Sequence, residues 1–344
     1  MPKTALIWPF RYKDIRVYPN NEKWAWQTRL NWVCDGLRAN GYTILQHPEL
    51  LADLGETSVY ENQQEVEVII FNHSDCEEEQ VRQCPVRFKH RWFFKPTVPD
   101  GFHTTLDPLG YGSYSSITYE KPDYESVSDE EVSHFFDTQV KEWIGDLDSK
   151  WGKTLFKNNK ILVKDYHLII AQCGGDAVVT RQDIGSHYFE KLKTIIQHLS
   201  SISPNLILLK MHPYTNGPDP EQKPDIRSNL ANDYKAISPK VQVISDFTSV
   251  HSLLPNCKDV IVGNSGSGFE AMMHHKPIIS FCWPEYHWVT YDLRKLCDLR
   301  RALDTDSWFN RESSDKFLYW YMRHYCFHNQ ESAKSRVDQL LCNI

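Results

Sequence analysis

Three short stretches hold residues whose types and spacing suit chemistry. In "LIIAQCGGDAVV" an apolar run ends, two glycines follow, and Asp176 stands just beyond them. Glycines leave a carboxylate room to approach a substrate. An ionised acid beside an anomeric carbon can attack it and hold the sugar covalently until an acceptor displaces it. Gln172 is placed to hold that acid or a sugar hydroxyl. The same pattern also fits a solvent-facing aspartate in a turn, since Gly174 and Gly175 are good turn formers. In "LLKMHPYTNG" His212 precedes Pro213, whose ring restricts the backbone on both sides and so fixes the direction of the imidazole. That histidine suits donation to a leaving phosphate, with Lys210 adding positive charge if it faces the same space; a strand-end histidine satisfied by backbone is the alternative. In "GNSGSGFE" Asn264, Ser265, Gly266, Ser267 and Gly268 precede a helix. Small residues there let backbone N–H groups reach an anion. Ser267 and Glu270 also have capping-box spacing, which needs no ligand, and Glu270 could equally take a ribose hydroxyl.

Each stretch follows an apolar run that reads as a strand. From Tyr166 onward, strands "YHLIIAQ", "NLILLKM", "VQVISD", "DVIVGN" and "KPIISFC" alternate with helical segments, including "HYFEKLKTIIQHLSSI" with Phe189, Leu192, Ile196 and Leu199 inward. That alternation predicts a doubly wound α/β domain with a parallel sheet. Ligands of such sheets bind beyond the carboxyl ends of the strands, which is where the three clusters fall. Upstream, "TALIWPF", a helix with Trp26, Leu30, Val33 and Leu37 on one face and a stop at Gly41, then "YTILQH" and "VEVIIFNH" predict a second βαβ start. The stretch from Arg87 to Thr118 loses helical rhythm and reads as irregular, either a surface excursion or a lip facing an acceptor. Ser128 to Trp151 reads as a capped linking helix, so the expected division is 1–150 for an N-terminal α/β domain on the acceptor side. Residues 151–344 form the nucleotide-sugar domain, with an aromatic helical tail able to return to the first.

A chain of 344 residues fits two domains. A formal charge of −7 lacks the basic footprint of a nucleic-acid binder. Nine cysteines without CxxC pairs read as reduced thiols rather than a disulfide frame or zinc site. No apolar run approaches the roughly 20 residues of a spanning helix, and "MPKTALIWPFRYKD" does not read as a signal peptide, so the expected location is the cytoplasm or its membrane face, with at most peripheral membrane contact. HExxH and a Walker-type GxxxxGKS or GxxxxGKT loop are absent, and no DxD-type pair falls in a likely metal loop, so no metal is expected and a P-loop nucleotidase is disfavoured.

The ordered trio "QCGGD", "LLKMHP" and "NSGSGFEAM" resembles the capsule polysaccharide biosynthesis family, in particular its retaining β-Kdo glycosyltransferases, over roughly Leu168 to Asp292. The resemblance implies a GT-B-like fold, two Rossmann-like domains with parallel sheets facing a central cleft. It implies CMP-Kdo as donor, a surface glycan or glycolipid as acceptor, retention, and no metal. By position, Asp176 would be the nucleophile, and His212, Pro213 and Ser265 to Glu270 would hold CMP. The carboxylate of Kdo needs a cationic or N–H partner, for which Arg181 and Lys210 are candidates. Two other readings stand beside it: a CDP-glycerol-type phosphotransferase, which attacks phosphorus without an aspartate nucleophile, and a non-catalytic glycan-binding subunit.

Overall fold

The computed structural model describes residues 3–8, 21–47, 54–55, 57–59, 65–72, 84–97, 103–146, 163–172, 179, 187–212, 225–244 and 248–344. The chain divides into two compact units. Met1–Thr97, Gly101–Glu120 and Tyr321–Ile344 form the first, and Val98–Asp100 with Lys121–Trp320 the second. Each is an α/β unit built on a largely parallel sheet, the fold class expected from the alternation of strands and helices.

In the first unit β1 (Thr4–Ile7), β2 (Thr43–Gln46), β3 (Ser58–Val59), β4 (Glu65–Asn72), β5 (Arg87–Pro96), β6 (Thr104–Asp107) and, from the end of the chain, β13 (Cys326–Phe327) pair in the order β13-β6-β5-β4-β1-β2-β3. Pairing is parallel from β3 to β5 and antiparallel at β6 and β13. Ala5 and Ile7 enter one core with Leu30, Val33 and Leu37 of α1 (Asn21–Ala39) and with Val337 of the C-terminal helix (Gln330–Cys342). Leu6 enters the other core with Ile69 and Phe71. Both faces of the sheet are covered, which is why these strands are continuously apolar.

Two parts of the stretch expected to be irregular, Arg87–Pro96 and Thr104–Asp107, are instead strands of this sheet. β5 lies between β4 and β6 with Trp92, Phe93 and Phe94 buried. Past β6 the chain is tied down by Asp107. Its carboxylate accepts N–H bonds from Leu109 (2.8 Å), Gly110 (3.0 Å) and Ser116 (3.0 Å), and O–H bonds from Ser116 (2.5 Å) and Tyr325 (2.7 Å).

The unit boundary falls at Glu120, not at 150. The helical run α2 (Asp129–Phe135), a π turn (Phe136–Val140) and α3 (Lys141–Asp146) belongs inside the second unit. The reason is aromatic packing: Phe135 meets Trp143 and Tyr319 edge-on at 5.6 and 5.4 Å, and Tyr124 meets Phe317 at 5.3 Å. The Ser128–Glu131 capping box is formed as expected.

The second sheet contains β7 (Tyr166–Ile170), β8 (Ile207–Lys210), β9 (Val241–Ile244), β10 (Cys257–Val262), β11 (Ile278–Ser280) and β12 (Tyr291–Asp292), all parallel, in the order β12-β11-β10-β7-β8-β9. Between strands run α4 (Tyr188–Ile202), α5 (Asp225–Ile237), α6 (Val250–Leu253) and α7 (Ser267–Met273). The inward face of α4 is Tyr188, Leu192, Ile195, Ile196 and Leu199; Phe189 is only half-buried. At the amino ends of the central strands, His167 on β7 and Asp259 on β10 are register partners with no solvent exposure to speak of. The Asp259 carboxylate lies 2.8 Å from His167 Nδ1, and Ser203 Oγ lies 2.7 Å from Nε2. Removing one member of such a buried pair leaves the other unsatisfied, which typically costs about 3 kcal/mol or more. Asp259→Ala is therefore expected to lower the unfolding free energy by about that amount in urea titrations followed by circular dichroism. An unchanged midpoint and slope would show that the pair is incidental.

Candidate active site

The carboxyl ends of β10, β7 and β8 lie side by side, and each continues into one of the three polar clusters. The first and third clusters are joined directly. Gln172, just past β7, receives the Asn264 N–H on Oε1 (2.9 Å) and donates its Nε2 to Asn264 Oδ1 (2.8 Å). Its own N–H donates to Tyr188 Oη (2.9 Å). The Gln172 amide thus positions Asn264 from a buried place, with one N–H of its NH2 group and one lone pair of its oxygen engaged in the pair. A glycine at 263 makes this possible: a Cβ there would lie 2.5 Å from Gln172 Oε1.

Beyond Asn264 the half-exposed Ser265, Gly266 and Ser267 turn into α7. The expected Ser267–Glu270 capping box is not formed. Gly266 occupies the N-cap and no side chain caps it. Ser265 takes over part of that task, its Oγ accepting from the Ser267 N–H (3.2 Å) and its carbonyl from Gly268 N–H (3.0 Å). Glu270 instead turns inward, 3.8 Å from His251 Nε2 on α6. Tyr286 clamps the outer side of the turn. Its hydroxyl donates to the Ser265 carbonyl (2.5 Å), and its ring lies so close to Gly268 that a Cβ there would sit 2.2 Å away. Burial pushes the Tyr286 phenol well above its ordinary range, so the group remains a donor.

Lys210 ends β8, buried, with Nζ on the Met211 carbonyl (3.0 Å), and its own carbonyl accepts from Ala171 N–H (2.9 Å), tying the second cluster to the first. His212 follows, half-buried. Asp176, Pro213 and Arg181 lie outside the described residues. Cys282 would contact a Cβ on Gly263 at 3.3 Å, but burial raises its thiol to about 12, so it is no nucleophile.

Sequence reasoning missed the support behind the turn. His251 Nδ1 lies 2.9 Å from His274 Nε2. Burial, then the nearby His251, Lys276 and His275, lower the His274 pKa to about 3. His251 lies in no local motif with Glu270; only packing of α6 on α7 brings it to Glu270 and His274. Tyr286 was visible only as one aromatic among several in "CWPEYHW".

Fold and site together define a protein of two α/β units with a polar turn at the carboxyl ends of a parallel sheet. Residues 123–333 match the family of capsule polysaccharide biosynthesis proteins, and the chain belongs to that family. Among solved structures it is similar to Thermosulfurimonas dismutans KpsC, beta Kdo 2,4 transferase, at 15% identity and a TM-score of 0.54, with 99% of this chain and 98% of that one covered. It is also similar to the same organism's KpsC, beta Kdo 2,7 transferase, at 15% identity and a TM-score of 0.50, covering 99% and 100%. At that identity the likeness is one of fold. No curated protein matches the chain. Among the described residues no helix is long and apolar enough to cross a membrane.

Three outcomes are expected. Gly263→Ala should destabilise the second unit by about 1–3 kcal/mol, because the new methyl must push Gln172 aside. In the Gly263→Ala/Gln172→Ala double variant the two losses should sum to more than the measured one; strict additivity would contradict the contact. Because the folded-state pKa of His274 lies far below its unfolded value of 6.5, the unfolded chain takes up a proton between about pH 6.5 and 3 that the native chain refuses. Stability should fall as pH drops through that window, and less steeply in His274→Gln. Equal slopes in both proteins would rule out a neutral buried His274.

Proposed function

We propose that the protein is a glycosyltransferase moving a Kdo-like acid sugar from CMP-Kdo to a surface-glycan or glycolipid acceptor, with retention and without a metal. Membership of the capsule polysaccharide biosynthesis family supports the class, and the fold shared with two Kdo transferases is compatible with the donor. The observation that carries the reading is the Gln172–Asn264 amide pair, which joins the residue that opens "QCGGD" to the one that opens "NSGSGFE" at adjoining strand ends.

In this reading the turn Ser265, Gly266, Ser267 and Gly268 receives the nucleotide phosphate through the Ser265 and Ser267 hydroxyls and the N–H groups of Ser265 and Gly266, with Asn264 behind them. Glu270, backed by His251, accepts from the ribose hydroxyls. His212, its direction restrained by Pro213, donates to the phosphate, and Lys210 stands at the same edge. The Asp176 carboxylate attacks the anomeric second carbon of the sugar as the bond from that carbon to the phosphate oxygen breaks. CMP leaves with the bonding pair. An acceptor hydroxyl then attacks the same carbon from the side CMP vacated, loses its proton, and releases the carboxylate. Two displacements give net retention. Positioning and stabilisation of charge on the departing phosphate supply most of the rate.

Thermal shift with a nucleotide panel should single out CMP, the stabilisation growing with concentration. Asp176→Asn should keep that shift while transfer from CMP-Kdo falls by roughly a thousandfold or more, and mass spectrometry of quenched wild-type protein should find a sugar adduct on Asp176. Chelation with EDTA should leave transfer unchanged. Preference for UDP, or transfer undiminished in Asp176→Asn, would overturn the reading, and glycerol phosphate delivered to the acceptor would establish the phosphotransferase instead.

A further inference from the structure

The chain leaving β11 makes an unusual turn. Trp283 has a φ of +45°, a conformation that bulky L-residues rarely adopt, and it is followed by Pro284, which restricts it further. Strained backbone of this kind persists where surrounding contacts hold it, and it gathers at binding sites. Here the contacts are plain. The backbone N–H and ring Nδ1 of His287 both lie 3.0 Å from the Pro284 carbonyl, and the intervening Tyr286 is anchored on Ser265 and Gly268 with its ring edge-on to Phe269 at 5.0 Å. The turn lines up three half-buried rings: Trp283 and His287 at 5.3 Å, and His287 and Trp288 at 4.2 Å.

The imidazole in the middle has a defined chemistry. A carbonyl can only accept, so Nδ1 carries the proton, and in the neutral ring Nε2 offers a lone pair. Burial, the largest influence, lowers the His287 pKa; the Pro284 carbonyl and Asp292 oppose it and Arg294 adds to it. The ring therefore stays neutral near pH 7. Nε2 has no hydrogen-bond partner among the described residues. Two indoles beside an unspent acceptor match a sugar ring, whose C–H faces pack on aromatic surface while a hydroxyl donates to nitrogen. The rings are tilted by 56° and 37°, so they form no parallel slot for a flat base but can follow a puckered ring. Among the described residues the cation that bears on His287 is Arg294, and it is already bonded to Asp292 at 2.5 Å.

We propose that Trp283, His287 and Trp288 form a subsite for a neutral pyranose ring, flanking in sequence the tyrosine that clamps the Ser265–Gly268 turn. Taking that pyranose as part of the acceptor rests on the function proposed above; the binding itself does not.

Saturation-transfer NMR on the whole protein with methyl β-D-galactopyranoside, methyl β-D-glucopyranoside and methyl N-acetyl-β-D-glucosaminide tests it. At least one glycoside should receive saturation at its ring C–H protons. Trp288→Ala should weaken that binding about tenfold or more, as removal of an aromatic stacking partner does. His287→Ala should weaken it too, and Trp288→Phe should keep most of it and show that the fold tolerates a change there. The thermal shift caused by CMP should be the same in all four proteins. No saturation of any glycoside by the wild-type protein, or equal saturation in Trp288→Ala, would overturn the subsite, as would displacement of the glycosides by CMP, which would make the rings a base-binding surface. Glycoside binding without any CMP shift would leave the subsite standing and remove the donor reading. A CMP shift without glycoside binding would do the reverse.

Discussion

Two strands, β7 and β10, are fastened to each other at both ends, and the site depends on that. At the amino ends a buried imidazole–carboxylate pair, His167 with Asp259, fills the space between register partners. At the carboxyl ends the Gln172 side chain bridges to both the backbone and the side chain of Asn264. A parallel ladder alone fixes strands in register but leaves the loops beyond them free to wander. The reciprocal amide pair removes that freedom where it matters, and it does so in a buried place where an unmade bond would be costly. Gly263 is the condition for it, since any side chain there would occupy the position of Gln172 Oε1.

The same economy governs the turn that follows. Helix α7 begins without a side-chain cap, so its first N–H groups are met by Ser265 and by the chain's own carbonyls. Tyr286 closes over Gly268 and holds the Ser265 carbonyl, while His251 stands behind Glu270. A half-exposed polar turn is thus supported by buried groups on three sides. That is the arrangement expected of a preorganised binding site, in which rigid neighbours hold a small number of polar atoms toward a ligand.

Much of this was legible in the amino-acid sequence, and the exceptions share a cause. The apolar runs before Gln172, Lys210 and Asn264 announced strands, and the Gly/Ser turn announced a ligand-facing loop, because periodicity and turn chemistry are local. Of the two roles that the sequence left open for Glu270, the cap on Ser267 is not formed, because its neighbour His251 comes from another helix that local spacing does not reveal. The pairing of Gln172 with Asn264, 92 residues away, could not be seen by pattern. The segment from Arg87 looked irregular since "RFKHRWFFKP" alternates charge with aromatic bulk and runs into prolines; pairing with β4 on one side and β6 on the other makes it a strand. The boundary at Glu120 was hidden for a similar reason: the aromatic contacts that draw α2 and α3 into the second unit are made with residues near Tyr319.

Hydrogen–deuterium exchange with and without CMP tests the central claim directly, because it reads the amides of the joined strand ends themselves. Binding should slow exchange in peptides covering Ala171–Gln172 and Gly263–Phe269 together, as expected if one rigid corner meets the nucleotide. Protection that appears elsewhere while both of these peptides exchange unchanged would contradict the account.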